Sequence, residues 1–217
     1  MDIRLVIFDF DGTLGDTRRN IVKTLQDTMV HEGMEVRGEA ECAATIGIPL
    51  VDSFIKMFPE LTREQAEHCA EVYLEIFEEN KKTLIPKAFP HVCETLEKLA
   101  HKGIVLTVAS SRRSASLHVL MKKMGIDRVV SYVLGADNVT KAKPDPEPVL
   151  KTLRELKVNA DVTLVVGDMP VDMMMGAGAG AHTCAVTYGN ASREQLEAAG
   201  AEYVIDDIAE LPGLLER

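Results

Sequence analysis

The chain has 217 residues, 46% of them hydrophobic, enough to bury a core for one domain plus an insertion. Its 34 acidic and 24 basic residues leave a formal net charge of -10, which argues against nucleic acid as the main partner. An anionic substrate would approach against that field, so local cations must offset it.

The first apolar run, residues 4–8, reads as a strand and leads into Asp9-Phe10-Asp11-Gly12-Thr13-Leu14. Side chains alternate along a strand, so Asp9 and Asp11 face the same way. Two carboxylates in a small site do not both ionise freely unless a cation joins them. One oxygen can then attack an electrophile while the other acid delivers a proton to the leaving group. A hairpin turn or helix cap is the plainer reading of Asp and Gly after a strand.

No strand pattern follows before residue 104. Residues 18–32 carry Ile21, Val22, Leu25 and Met29 at helical spacing, and residues 50–58 form a second apolar helix. Residues 62–80 make the clearest helix of the chain. Thr62 and Gln65 form a capping box, and Ala66, Cys69, Ala70, Tyr73, Ile76 and Phe77 share one face. These helices are expected to form their own bundle, entered near Thr17 and left near Ile85-Pro86, serving as a lid that controls water.

Helices at 92–102 and 115–124 end at Gly103 and Gly125. Between them, the strand at 104–109 runs into Ser110-Ser111-Arg112, whose hydroxyls can donate to an anion. A weaker strand lies near Tyr132. Lys143 sits on an extended loop because Pro144 disfavours helix at the residue before it. The strand at 163–166 leads to Gly167-Asp168, with Asp172 four residues on in a helical segment. Strands at 183–187 and 203–205 complete the alternation of an α/β doubly wound parallel sheet.

In such a sheet the carboxyl ends of the strands converge on one crevice, so Asp9, Asp11, Ser110, Lys143 and Asp168 can meet there. The acids suit a hard divalent ion such as Mg2+, while lysine and hydroxyl suit phosphoryl oxygens. Phosphoryl transfer requires little more than this positioning.

Asp9-Phe10-Asp11-Gly12-Thr13-Leu14, Ser110, Lys143-Pro144 and Gly167-Asp168-Met169-Pro170-Val171-Asp172, in that order, resemble the four motifs of the haloacid dehalogenase superfamily of phosphatases. Within it, the chain is similar to the phosphoglycolate phosphatase, pyrophosphatase and β-phosphoglucomutase group. The resemblance implies a Rossmann-like core, residues 1–16 and 87–217, and an all-helical cap, residues 17–86. It implies that Asp9 is the nucleophile that becomes an aspartyl phosphate and Asp11 the general acid and base. Ser110 and Lys143 would bind the phosphoryl group, helped by Gly12, Thr13, Ser111 and Arg112. Asp9, Asp11 through its backbone carbonyl, Asp168 and Asp172 would hold Mg2+. Gly15, Ser111, Ala142 and Met169 depart from the commonest pattern without removing a catalytic group.

The expected activity is magnesium-dependent hydrolysis of a small phosphorylated metabolite resembling phosphoglycolate. A pyrophosphatase, a sugar phosphomutase, a receiver module and a non-catalytic phosphate-binding regulator are the rivals. The chain is expected to be cytoplasmic, as a monomer or homodimer, since it lacks a signal peptide pattern and a run long enough to span a bilayer.

Other conspicuous features take plainer readings. Cys42, Cys69, Cys93 and Cys184 have no Cys-x-x-Cys spacing and are expected as reduced core residues. Met173-Met174-Met175 is expected to pack in the core, and Gly176 to Gly180 to be a helix end and turn rather than a dinucleotide loop. Among Arg18, Arg19, Arg112 and Arg113, Arg112 is the best placed to reach a second anionic group of a substrate.

Overall fold

The computed structural model describes residues 2–216. Its frame is a six-stranded parallel sheet: β1 (Leu5–Phe8), β4 (Val105–Ala109), β5 (Tyr132–Leu134), β6 (Thr163–Gly167), β7 (His182–Val186) and β8 (Tyr203–Ile205), in the order β5-β4-β1-β6-β7-β8. The strand order reverses at β1, whose two neighbours are β4 and β6, with Leu5 in register with both Val105 and Thr163. This is the position at which an open α/β sheet leaves a crevice beyond its carboxyl edge.

Every residue of β1 is fully buried because both faces of the sheet are covered. Val6 and Phe8 pack into one apolar cluster with α5 (Val92–His101) and α6 (Ser114–Met124). Leu5 and Ile7 pack into another with α7 (Glu147–Leu156) and α8 (Pro170–Gly178). The alternation of side chains therefore serves two cores at once, each fully buried aliphatic residue contributing about 1.5–3 kcal/mol.

The long stretch without a strand pattern is helical: α1 (Arg18–His31), α2 (Glu39–Ala43), α3 (Leu50–Met57) and α4 (Arg63–Asn80). These helices share a third cluster, built on Leu25, Met29, Phe54, Phe58, Tyr73 and Phe77. The capping box at Thr62 is present: the Gln65 N–H donates to Thr62 Oγ1 at 3.2 Å, and the Thr62 N–H to Gln65 Oε1 at 2.9 Å. Both crossings into the bundle run through one antiparallel ribbon, β2 (Gly15–Asp16) against β3 (Lys87–Ala88). Strands of two residues carry no readable alternation, so this ribbon emerges only from the pairing.

Gly103 and Gly125 end their helices at φ values of 79° and 75°, a left-handed conformation that glycine adopts without steric cost. Helices α7, α9 (Arg193–Ala198) and α10 (Leu211–Leu214) complete the framework. The four cysteines are free; Cys93 is half-buried and the others are buried. Met173 and Met175 lie in the core, but Met174 is 50% exposed, because consecutive helical residues point about 100° apart. Glycines 176 and 178 fall within α8, and Gly180 turns the chain at φ 75°. No helix among the described residues is long and apolar enough to cross a membrane.

Candidate active site

Asp9, Ser110 and Asp168 each follow the last residue of an adjacent strand, β1, β4 and β6 respectively. The Asp9 N–H donates to the Val166 carbonyl at 2.8 Å, and the Ser110 N–H to the Leu134 carbonyl at 3.0 Å, so strand pairing continues to Asp9 and Ser110. Lys143 arrives on the loop before α7, and Asp172 in the first turn of α8. All five side chains are buried.

Lys143 Nζ bridges two acids, donating to Asp9 Oδ1 at 2.5 Å and to Asp172 Oδ1 at 2.6 Å. The other Asp172 oxygen accepts the Met169 N–H at 3.1 Å. Asp168 is held from both sides: Oδ1 accepts the Thr13 hydroxyl at 3.1 Å, and Oδ2 accepts the backbone and side-chain N–H groups of Asn190 at 2.7 and 2.9 Å. Oxygens of Asp9, Asp168 and Asp172 lie within 4.8 Å of one another.

Among the described residues, one carboxylate oxygen of the acid cluster has no partner. Asp9 Oδ2 is buried and accepts no hydrogen bond, which is costly for a carboxylate. Three buried acids face a single ammonium, and burial raises the Asp9 carboxyl well above the usual carboxylate range, against the pull of Lys143. Burial, then the neighbouring Asp172, pushes Asp168 up to about 7. An orphaned oxygen and an excess of negative charge, with only oxygen donors, fit a hard divalent cation such as Mg2+.

Asp168 also makes the cation-free fold sensitive to pH. Its folded carboxyl binds a proton more tightly than in the unfolded chain, so stability falls as pH rises from 3.8 to about 7 and levels off above. In thermal melts without divalent metal, Asp168→Asn is expected to flatten that part of the slope. Magnesium at pH 8 should raise the wild-type melting temperature. A wild-type slope unchanged by the substitution would contradict this assignment.

Not every predicted site residue joins the acid cluster. The Asp11 side chain instead forms a two-point ion pair with Arg112. The Thr13 hydroxyl is spent on Asp168. The Ser111 hydroxyl donates at 2.7 Å to the carbonyl of Gly47, in the loop between α2 and α3 that reaches down from the helical bundle. Ser110 Oγ accepts the Arg112 N–H at 3.2 Å and lines a small cleft with Lys143. Arg18 pairs with Glu39 within the bundle at 3.5 Å, and Arg19 and Arg113 are exposed.

Gly12 has φ 97°, and a Cβ there would collide with Asp168 Oδ2 and Asn190 Nδ2. Only glycine lets the first loop lie this close to the acid. A Cβ at Gly189 would likewise strike Asp168. Gly189 and Asn190, together with Tyr188, whose hydroxyl donates to the Thr13 carbonyl at 2.9 Å, were not singled out in the sequence. Their signal was position: they follow β7, the strand beside β6, on the same edge of the sheet.

Together, the parallel sheet, the acid cluster and the bridging lysine define an α/β protein with a buried, charged centre at a switch point in strand order. The model of the haloacid dehalogenase-like hydrolases matches residues 6–186. Pyrophosphatase PpaX of Oceanobacillus iheyensis is 32% identical over 211 residues, covering 97% of this chain and 96% of the relative. The phosphoglycolate phosphatase of Aquifex aeolicus is 28% identical over 190 residues, 86% of each chain. The crystal structure of a hydrolase from Pseudomonas syringae superposes with a TM-score of 0.86 at 26% identity, covering 97% of both chains. The chain belongs to the haloacid dehalogenase-like hydrolase family and is an enzyme, a phosphatase of that family.

Proposed function

We propose that this enzyme is a magnesium-dependent phosphatase that hydrolyses a small phosphorylated metabolite through an aspartyl phosphate on Asp9. The unpartnered Asp9 Oδ2, buried at the end of β1 beside Lys143, carries the reading. Asp9 attacks phosphorus while Asp11 protonates the leaving oxygen. Water, deprotonated by Asp11, then attacks the acyl phosphate, releasing phosphate and restoring Asp9. Lys143 and Ser110 hold the transferring oxygens, and the Lys143 bridge also keeps Asp9 oriented.

Asp9, Asp168, Asp172 and the Asp11 carbonyl would hold Mg2+, which supplies positive charge against the acids and the phosphoryl oxygens. Thr13 and Asn190 orient Asp168 within that set, as hydrogen bonds to a ligating carboxylate do. Residues 17–86 act as the cap, hinged on the β2–β3 ribbon, and residues 1–16 and 87–217 as the core. The proposal places the enzyme in the cytoplasm, as a monomer or homodimer acting on free metabolites.

A phosphoglycolate-like ester is the substrate we favour. Inorganic pyrophosphate is the second reading, supported by the resemblance to pyrophosphatase PpaX over nearly the whole chain. Phosphate release from phosphoglycolate, pyrophosphate, sugar phosphates and nucleotides, with and without magnesium, tests both. We expect turnover of one of the first two, abolished by chelation. Isomerised sugar phosphate without net phosphate release would overturn the hydrolase in favour of a mutase.

A further inference from the structure

Arg112 stands where three parts of the protein meet. Its Nε donates to Asp11 Oδ2 at 3.0 Å and its Nη2 to Asp11 Oδ1 at 2.7 Å. Its Nη1 donates to Ser116 Oγ on α6 at 3.3 Å, and the guanidinium lies 4.9 Å from the ring centroid of Phe77 on α4. The Arg112 and Asp11 side chains are 9% and 11% exposed, so solvent screens the pair little.

Both oxygens of Asp11 therefore already accept N–H donors, and neither is free to pass a proton to a leaving oxygen. The pair resembles a resting state that must open before acid catalysis. The group that protonates a leaving oxygen must lie on the leaving-group side of phosphorus, and the arginine clasping it lies there too. A guanidinium fork binds a carboxylate or a phosphoryl group with the same two-point geometry.

We propose that Arg112 selects substrates whose leaving portion carries a second anion, a carboxylate or a phosphoryl group, and that this anion takes over the fork and frees Asp11 for proton transfer. This rests on the phosphatase reading, with Asp11 as the proton donor. A neutral leaving group offers the fork no replacement for Asp11 and leaves it closed. Selection then acts on the chemical step as well as on binding, since only the second anion produces a competent acid.

Asp9→Asn, which on this reading holds esters without turning them over, allows binding to be measured by titration calorimetry in magnesium. Phosphoglycolate and pyrophosphate are expected to bind roughly 10- to 100-fold tighter than 2-hydroxyethyl phosphate, the range of a charge-assisted hydrogen bond. Arg112→Lys, which keeps the charge but loses the fork, and Arg112→Ala should each reduce the gap to less than about threefold, well under one such bond. The Arg112 Nε–H resonance, identified by its loss in Arg112→Lys, should move with the anionic ligands and stay in place with the neutral ester. With Asp9 intact, Arg112→Ala should lower kcat/KM for the anionic substrates by a larger factor than for the neutral ester, so that the ratio between them falls.

A preference for only one of the two anions supports the proposal for that anion. Equal binding of all three compounds, a preference that survives Arg112→Ala, an unmoved resonance, or equal kinetic losses for all three would overturn it. If the phosphatase reading itself fails, wild-type protein releases phosphate from none of them, whereas the binding and resonance measurements still decide the role of Arg112.

Discussion

Asp9→Asn is expected to abolish turnover, by on the order of 10⁴-fold or more, while leaving the fold intact. The amide keeps the shape and one acceptor oxygen but cannot form the acyl phosphate. Its effect on stability runs the other way. Burial raises the Asp9 carboxyl well above the usual range, so at pH 8 without metal its ionised form opposes folding. Asparagine removes that opposition, and Lys143 retains Asp172 as a partner. The variant should therefore melt at or above the wild-type temperature in chelator at pH 8. Phosphate release in magnesium and a thermal melt in chelator are the two measurements. Magnesium-dependent hydrolysis surviving in the variant would remove Asp9 from the role of nucleophile.

Lys143→Met should produce the largest loss of stability. Lys143 and Asp172 side chains are each 2% exposed and Asp9 3%, so deleting the ammonium leaves two buried carboxylates facing each other. Removing one partner of a buried ion pair costs about 3–5 kcal/mol. For a chain of this size that is a fall in melting temperature of roughly 6–20 °C. Burial lowers the Lys143 ammonium, but Asp172 and Asp9 together outweigh it and raise the group above its ordinary value, so its contribution is fully present at neutral pH and is lost only as pH climbs through that raised value. In the variant, the loss should shrink as pH falls, because burial raises the Asp9 carboxyl and so favours its protonated form, and shrink again in magnesium at neutral pH. Urea unfolding at pH 5 and pH 7.5, with and without magnesium, reads all of this. A cost below about 1 kcal/mol at pH 7.5 would mean that the bridge is not held in solution, since that is the range of an exposed pair.

The strands and the four polar clusters could be read because their signals are local. Apolar runs such as Val105 to Ala109, buried on both faces, need no partner to be recognised, and Asp9 and Asp168 directly follow two such runs. The capping box at Thr62 is equally local and appears in the structure residue for residue. The β2–β3 ribbon is different, because residues 15–16 and 87–88 are strands only by virtue of each other. Asn190 escaped notice for the same reason: an asparagine after a strand looks like turn chemistry until Asp168 is found 2.7 Å from its N–H.

Asp11 shows the division most clearly. Alternation put its carboxylate on the same side as that of Asp9, and its place in the first motif gave its expected role. The chain then turns at Gly12, and Arg112, 101 residues away, captures both of its oxygens. By itself the order of residues determined the parallel sheet, the acids, lysine and serine at its edge, and the presence of a helical insertion, since periodicity and motif spacing are properties of short stretches. Only the tertiary structure decided which acids share a lysine, which oxygen is left without a partner, and that the proposed proton donor is held by an arginine. Those outcomes depend on distances of about 3 Å between segments far apart in the chain, which no local pattern encodes.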